Sequence, residues 1–218
     1  MKLGIVSVTL NAVNPIVQFL NYSNEEIEYL NYLDSGLMER VNRDGLISDT
    51  SMNRMKMLIM NAKSDEVDGV LLTCTVFSPF TDDFSKEFGI PVIAADRAMI
   101  ETAIYKEEKT AILYTFPSAK LSTQNLIRDI EARTGKMLDC DLILVEHAFE
   151  ELKKGNLDSH DRLITEKIRN IEENYGLILL AQISMVGAIA NFNSRIQVLT
   201  SPTSALGELK NRLKQRNR

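Results

Sequence analysis

The residue of this chain that is best placed for chemistry is Cys74, the first of two cysteines. It follows the apolar run Val70-Leu71-Leu72-Thr73 and precedes Thr75-Val76-Phe77-Ser78-Pro79, a pattern that predicts a strand end followed by a helix with Pro79 in its first turn. A thiol just ahead of a helix N-terminus is favoured as a nucleophile or a base. A strand-end cysteine can also be an inert core residue, and the sequence alone leaves that alternative open.

The chain contains the same unit twice, and Gln182 occupies the position in the second copy that matches Cys74 in the first. Three short apolar runs recur in one order at a spacing of about 107 residues, which indicates an internal duplication. The matching pairs are 2–6 with 109–113, 70–74 with 178–182, and 92–95 with 198–201. The duplication therefore predicts two equivalent strand ends that differ in their central side chain, a thiol in one and a primary amide in the other.

Strand-like and helix-like patterns alternate along both copies. Short apolar runs are typical of buried parallel strands, and the amphipathic stretches between them, such as 52–62, 118–133 and 160–174, are typical of surface helices. This alternation predicts βαβ units and a mostly parallel sheet flanked by helices in each half, so the expected fold class is α/β. The predicted strands lie at about 3–8, 27–32, 69–74, 90–95, 110–115, 138–146, 177–182 and 196–200.

The order of these elements also suggests how the chain is divided. The last strand and helix, at about 196–218, match 90–106 of the first half, but chain order alone does not say which sheet they join. We expect an interleaved arrangement with crossings near 96 and 196. The first α/β domain is then 1–95 with 197–218, and the second is 96–196.

The predicted carboxyl ends of the strands are rich in hydroxyl and amide side chains and hold almost no charged ones. Ligands of open parallel sheets bind beyond these ends, where helix N-termini offer unpaired N–H groups. Neutral donors of this kind suit a small anion such as a carboxylate, although each hydroxyl taken singly can simply cap the helix that follows. The ends are 7–11, 73–75, 114–118, 182–184 and 200–202.

Composition argues against several classes of protein. The net charge of −5 over 218 residues disfavours a general nucleic-acid binder, and the basic tail at 210–218 is typical of a solvated helix C-terminus. No apolar run approaches the roughly 20 residues of a membrane span, and the first residues lack the core of a signal peptide. We therefore expect a cytoplasmic protein with no membrane partner and no nucleic-acid partner.

The sequence also offers no anchor for a metal or a cofactor. Cys74 and Cys140 belong to no Cys-x-x-Cys pair, and no Gly-x-Gly-x-x-Gly or Gly-Lys-Ser/Thr run marks a nucleotide site. The two histidines, His147 and His160, cannot be linked to Cys74 by their spacing, so a Cys/His hydrolase is not favoured. We expect chemistry without a cofactor and without a metal.

Several short motifs spread over nearly the whole chain carry a resemblance. They are Asp34-Ser35 before Leu37-Met38, Val67-Asp68-Gly69 before Leu72-Thr73-Cys74-Thr75, the run 90–99, Leu113-Tyr114-Thr115-Phe116-Pro117-Ser118, Gly155-Asn156 before His160-Asp161, and Leu180-Ala181-Gln182-Ile183-Ser184-Met185. Jointly they resemble the aspartate/glutamate/hydantoin racemase superfamily. The motifs of the second half resemble a subgroup that keeps the first cysteine and has glutamine at the second cysteine position.

The resemblance implies two pseudo-symmetric, Rossmann-like α/β domains with the active site in the cleft between them, a small carboxylate as substrate, no cofactor and a homodimer. In the two-cysteine racemases of the superfamily, one thiolate removes the proton α to a carboxylate and the other thiol reprotonates the opposite face. Carried over, the first cysteine falls on Cys74 and the second on Gln182. Thr115 and Ser118 fall on the hydroxyl positions that hold the substrate carboxylate.

Gln182 changes the chemistry to be expected. A primary amide does not ionise near neutral pH, so it cannot be the second acid–base group. We expect an amino-acid racemase-like isomerase that transfers a proton at the α-carbon through Cys74, with Gln182 orienting a carboxylate or stabilising negative charge. The residues expected to hold the substrate are Asn11, Thr75, Thr115, Ser118, Ser184 and Ser201.

Alternatives to this hypothesis stay open. A single thiol can protonate an enediolate after loss of carbon dioxide, as in the related arylmalonate decarboxylases, or add to a double bond, as in the related maleate isomerases. The chain can also be a carboxylate sensor that has lost catalysis, and Gln182 is the feature that motivates this alternative. Turnover that depends on Cys74 separates the enzymes from the sensor.

Overall fold

The computed structural model describes residues 1–22, 26–115 and 117–216, with the side chains of Asn11, Tyr22, Pro117, Ser118 and Arg216 outside the description. The chain is divided into two compact units. The first comprises Met1–Ala95 and Ala205–Arg218, and the second comprises Asp96–Ser204.

The first unit contains a four-stranded parallel sheet with its most apolar strands at the centre. β1 (Lys2–Ser7) and β3 (Gly69–Leu72) are buried almost throughout, as expected of strands that are covered on both faces. β2 (Glu28–Leu33) has exposed and half-buried side chains, which fits its place at one edge. β4 (Val92–Ala94) forms the other edge, so that the strand order is β2-β1-β3-β4.

Helices follow the strands of this sheet and cover it. The third helix, α3 (Asp49–Ser64), buries Met55, Ile59 and Ala62 in the apolar core of the unit, and their spacing puts them on one face of the helix. Gly4 permits this close packing, because a Cβ atom at Gly4 would lie only 3.0 Å from the Cβ of Ala62. The helices are α1 (Val13–Tyr22), α2 (Ser35–Asp44), α3 (Asp49–Ser64) and α4 (Thr81–Phe88), with 3₁₀ helices at Leu10–Ala12 and Thr75–Phe80.

The second unit repeats this architecture. Its four parallel strands are β5 (Thr110–Tyr114), β6 (Cys140–Leu144), β7 (Leu177–Leu180) and β8 (Gln197–Thr200), in the order β6-β5-β7-β8. The central strands β5 and β7 are fully buried, and apolar clusters cover the two faces of the sheet.

The remaining helices lie between Ala95 and Arg216. They are α5 (Ala95–Lys106), α6 (Pro117–Thr134), α7 (Ala148–Lys153), α8 (Leu157–Ile171) and α9 (Ser201–Arg216), with 3₁₀ helices at Glu172–Asn174 and Ile183–Ile189. Over the described ranges, none of the helices combines the length and the apolar composition needed to cross a membrane.

The strand register confirms the duplication. Leu3 of β1 pairs with Gly69 of β3, and Thr110 of β5 pairs with Leu177 of β7 at the matching place in the second sheet. The third and fourth strands repeat the correspondence through Val70 with Val92 and Ile178 with Val198. The expected α/β class, with two pseudo-symmetric parallel sheets flanked by helices, is therefore confirmed.

The second boundary between the two units lies later in the sequence than the expected one at residue 197. β8 pairs with β7 along its whole length, from Leu177–Gln197 to Leu180–Thr200, so it belongs to the second sheet. The chain rejoins the first unit only at Ala205, within α9. The physical reason is strand pairing: β8 hydrogen-bonds to the third strand of its own repeat, just as β4 does in the first sheet.

Candidate active site

Cys74 lies directly beyond the carboxyl end of β3, in the first unit. Its backbone is extended (φ −112°, ψ 111°), and it is the N-terminal cap of the 3₁₀ helix Thr75–Phe80. The carbonyl oxygen of Cys74 accepts hydrogen bonds from the Phe77 N–H at 3.2 Å and from the Ser78 hydroxyl at 3.4 Å. The residue is 6% exposed and belongs to the buried apolar core of the first unit. The thiol is therefore carried on a fixed backbone and is largely shielded from solvent.

The predicted helix after Cys74 is present and begins as a 3₁₀ helix. Pro79, predicted in the first turn of this helix, is the fifth of the six residues of the 3₁₀ segment, and α4 begins only at Thr81. A 3₁₀ segment of six residues aligns fewer peptide dipoles than an α-helix and has poorer hydrogen-bond geometry. A 3₁₀ helix of this length therefore favours a thiolate less than an α-helix would.

A pair of hydroxyls ties the two central strands of the first sheet together next to Cys74. Thr73, the residue before it, donates from Oγ1 to the hydroxyl oxygen of Ser7 at 3.0 Å and lies 3.4 Å from the carbonyl oxygen of Val6. The Thr73 N–H also donates to that carbonyl at 3.0 Å. The sequence places Ser7 and Thr73 at predicted strand ends but indicates no individual role for either residue. Their contact fixes the strand end that carries the thiol.

Gln182 has the same local structure in the second unit. It lies beyond the carboxyl end of β7 in extended conformation (φ −118°, ψ 142°) and caps the 3₁₀ helix Ile183–Ile189. Its side chain is tied to Thr115, at the end of β5: the Gln182 Oε1 atom accepts from the Thr115 N–H at 2.9 Å and from the Thr115 hydroxyl at 3.0 Å. The Nε2 atom of Gln182 is buried and has no hydrogen-bond partner among the described residues. The two strand ends thus share one scaffold and differ in the group they present.

Solved structures of racemases have this architecture. The aspartate racemase of Picrophilus torridus superposes with a TM-score of 0.69 at 14% sequence identity, covering 98% of this chain and 94% of that one. The allantoin racemase of Klebsiella pneumoniae gives 0.62 at 14% identity, over 99% and 88% of the two chains. The glutamate racemase of Aquifex pyrophilus gives 0.54 at 16% identity, over 97% and 83%. This chain has the fold of the aspartate and glutamate racemases.

The similarity to the racemase fold is one of structure rather than sequence. A scan against protein-family models gave no match, and neither did a search of curated proteins. The superpositions show that the fold is shared, but sequence identities this low do not assign functions to individual residues of this chain.

The other predicted site residues occupy several environments within the racemase fold. Thr75 and Ser184 are half-buried in the 3₁₀ helices that follow Cys74 and Gln182. Ser201 is 1% exposed as the first residue of α9, and its hydroxyl has no partner among the described residues. The side chains of Asn11 and Ser118 lie outside the described residues, and their predicted roles remain predictions.

The remaining cysteine and the histidines lie on other elements than Cys74 and Gln182. Cys140 begins β6, an edge strand, where burial and the nearby carboxylates of Glu131, Asp141 and Asp139 raise the pKa of its thiol to about 11. His147 is exposed, with a left-handed backbone (φ 64°) at the start of α7. His160 is fully buried in α8, with Nδ1 2.7 Å from Asp161 Oδ1. Both histidines belong to the second unit, whereas Cys74 belongs to the first.

Proposed function

We propose that this chain is a cofactor-independent isomerase of the racemase type that acts on a small carboxylate, an amino acid or a dicarboxylate. Cys74 is its acid–base group. The observation that supports the proposal most strongly is a thiol at the carboxyl end of a central strand, on a backbone fixed by its own 3₁₀ helix and by the neighbouring Ser7–Thr73 contact, within a racemase fold. Carboxyl ends of central strands are where parallel sheets bind their ligands.

The proposed chemistry is proton transfer at the carbon next to the carboxylate. The Cys74 thiolate removes the α-proton: the C–H bond breaks, an S–H bond forms, and the electron pair moves into the carboxylate as an enediolate. Return of a proton from the same thiol restores the original configuration, and delivery from the opposite face inverts it. Gln182 cannot make that second delivery, because an amide holds no transferable proton near neutral pH.

One observation favours the alternatives to a two-base racemase. The oxygen of the Gln182 side chain is already engaged by Thr115, which suits a fixed polar contact rather than a mobile proton carrier. This supports chemistry that needs one thiol only, namely protonation after decarboxylation or thiol addition to a double bond. It equally supports a sensor that binds a carboxylate without turnover.

Proton NMR in deuterium oxide tests these functions. Wild type, Cys74→Ala and the control Cys140→Ala are incubated with acidic amino acids, 2-substituted malonates, maleate and hydantoins. We expect loss of an α-proton signal with at least one substrate, unchanged in Cys140→Ala and reduced about a thousandfold or more in Cys74→Ala, because the acid–base group is gone.

The remaining outcomes separate the candidates. Chiral analysis of the exchanged substrate distinguishes retention, expected of one thiol, from inversion, which needs a further proton donor. Decarboxylation or double-bond isomerisation would replace the racemase-type reaction by a one-thiol reaction. Full turnover in Cys74→Ala would overturn the role of the thiol, and binding without turnover in both proteins would favour the sensor.

The homodimer and the cytoplasmic location stay predictions. The homodimer is implied by the resemblance, and light scattering on the purified chain measures it directly.

A further inference from the structure

The Gln182 side chain has a defined orientation because of what it contacts. Two hydrogen bonds reach the same atom of its amide, one from the Thr115 N–H at 2.9 Å and one from the Thr115 hydroxyl at 3.0 Å. A backbone N–H can only donate, so the amide atom that faces it must be the oxygen. The opposite orientation would bring two N–H groups together and lose the contact. Thr115 therefore decides which end of the amide points away from it.

The end that points away is an unpaired donor. Nε2 of Gln182 is buried and has no hydrogen-bond partner among the described residues. Buried N–H groups are almost always paired in folded proteins, because desolvation without a partner costs free energy. An unpaired buried amide nitrogen beyond the carboxyl end of β7 indicates a place where an oxygen of a ligand completes the structure.

We infer that Thr115 is a positioning residue, which fixes the Gln182 amide as a hydrogen-bond donor to an oxygen of the bound ligand at the carboxyl end of the second sheet. The ligand class, a small carboxylate, rests on the proposed function. Both donors of Thr115, its N–H and its O–H, are directed to the Gln182 oxygen. Thr115 consequently acts through Gln182, and the role expected from the sequence, direct binding of the carboxylate, passes to the glutamine.

This arrangement makes Gln182 selective for acceptors. A carboxylate or carbonyl oxygen can accept from Nε2, whereas an ammonium or amide N–H group of a ligand cannot. Replacement of Gln182 by glutamate keeps the length and an oxygen for Thr115 but replaces the donor by a second acceptor. A carboxylate ligand then meets an acceptor of like charge.

The test is calorimetric titration in a Cys74→Ala background, so that binding is measured without turnover. The probes are maleate, 2-methylmalonate and the two enantiomers of aspartate. Relative to the background protein, we expect Gln182→Glu to weaken binding of the best probe by about a hundredfold or more, since a hydrogen bond to a charged group is lost and repulsion is added. Thr115→Val, which keeps the shape but loses the hydroxyl, should weaken it about tenfold.

The conservative variant supplies the control. Thr115→Ser keeps the hydroxyl and should bind the same probe within about threefold of the background protein. A purely structural role of Thr115 would make valine, the closer match in shape, the milder replacement, and that order of affinities would overturn the inference.

A proton–nitrogen NMR spectrum of the unliganded protein gives a second readout, the environment of the Gln182 side-chain amide. The side-chain amide of Gln182, assigned by its loss in Gln182→Glu, should give a proton–nitrogen signal displaced from those of solvent-exposed glutamines. Thr115→Val should shift this signal, and Thr115→Ser should leave it close to its original position. An unchanged signal in a fully folded Thr115→Val variant would overturn the positioning role.

Failure of the proposed function and failure of this inference are distinguishable. If wild type shows no turnover but the variants bind in the predicted order, the isomerase function is wrong and the donor role of Gln182 stands. If wild type turns over a substrate but Gln182→Glu binds the probe as tightly as the background protein, the isomerase function stands and the donor role is wrong. Binding of none of the probes would overturn the ligand class assigned to the Gln182 donor.

Discussion

At the scale of single residues, the two cysteines differ in their surroundings. Cys74 caps a 3₁₀ helix at the end of a central strand, whereas Cys140 starts an edge strand beside three carboxylates. Negative neighbours and burial both disfavour a thiolate, so the pKa of Cys140 lies near 11. The structure thus gives Cys140 an environment unsuited to nucleophilic or acid–base work at neutral pH.

Alkylation by iodoacetamide should reveal this difference, because the reagent reacts with the thiolate. In Cys74→Ala, where Cys140 is the remaining thiol, we expect labelling at pH 8 to be about a hundredfold slower in the folded protein than in urea. The reason is that a pKa about two units above the ordinary value lowers the thiolate fraction by that factor. Mass spectrometry of quenched samples measures the rates.

The pH dependence is the control for this prediction. Between pH 7 and 9.5 the rate for folded Cys140 should rise about tenfold per pH unit without levelling, since the thiol stays mostly protonated below pH 11. A plateau near pH 9 would show that the thiol has an ordinary pKa, and the assigned effect of Glu131, Asp139 and Asp141 would be wrong.

At the scale of elements, the duplication extends to helix caps. Ser48 caps α3 by accepting from the Ser51 N–H at 3.3 Å, and Asn156 caps α8 by accepting from the Ser159 N–H at 3.4 Å. The two caps stand at matching places ahead of the helices that precede β3 and β7. Cap residues satisfy N–H groups that the first turn of a helix leaves unpaired.

Removal of either cap should destabilise the protein. Ser48→Ala and Asn156→Ala are each expected to lower the free energy of unfolding by about 1 kcal/mol, the usual cost of a lost side-chain cap. Urea denaturation followed by circular dichroism measures the change.

A substitution inside α8 serves as the matched control. Thr165 donates its hydroxyl to the carbonyl oxygen of Arg162 in the same helix and caps nothing. Thr165→Ala should be neutral or slightly stabilising, because alanine has the higher helix propensity. Equal losses for Thr165→Ala and the two cap variants would show that the caps have no special role.

At the scale of the whole molecule, the chain closes its first unit with its last helix. Gly69, at the start of β3, faces Leu209 of α9: a Cβ atom at Gly69 would lie 2.5 Å from Leu209 Cδ1 and 3.2 Å from the carbonyl oxygen of Pro91. Leu209 is 2% exposed and has little room to move. The first unit therefore depends on residues more than 130 positions apart in the sequence.

Gly69→Ala should destabilise the protein by about 1–3 kcal/mol, the usual cost of overpacking a core. Gly176 lies one residue before the matching place in the second repeat, and an added Cβ there would meet the side chain of Glu108, with Oε2 at 3.0 Å and Cβ at 3.1 Å. Because Glu108 is half-buried and flexible, Gly176→Ala should cost less. Urea denaturation of both variants provides the comparison.

A double-mutant cycle tests whether Leu209 is the cause. Leu209→Ala alone should cost about 2–5 kcal/mol, as expected for a buried leucine. In the double variant the new methyl group enters the space left by the leucine, so the two losses should sum to more than the loss of the double variant. Strict additivity would show that the contact between Gly69 and Leu209 does not limit the packing of α9.

The sequence by itself determined the features that depend on local pattern and residue type. The sequence pattern placed all eight described strands, and for the central strands the signal was a short, continuous apolar run, as expected of buried parallel strands. The repeat spacing predicted two equivalent sheets, and alignment of Cys74 with Gln182 predicted that their strand ends differ in chemistry. Both residues do cap matching 3₁₀ helices.

Only the tertiary structure decided features that depend on register and on distant neighbours. Thr115 and Gln182 meet across 67 positions, and Ser7 meets Thr73 across 66, because adjacent parallel strands end at the same edge of their sheet. The same pairing placed β8 in the second sheet, where the sequence left two choices. Local pattern encodes which residues form a strand, but hydrogen bonding between strands selects the partner and thereby the contacts of each side chain.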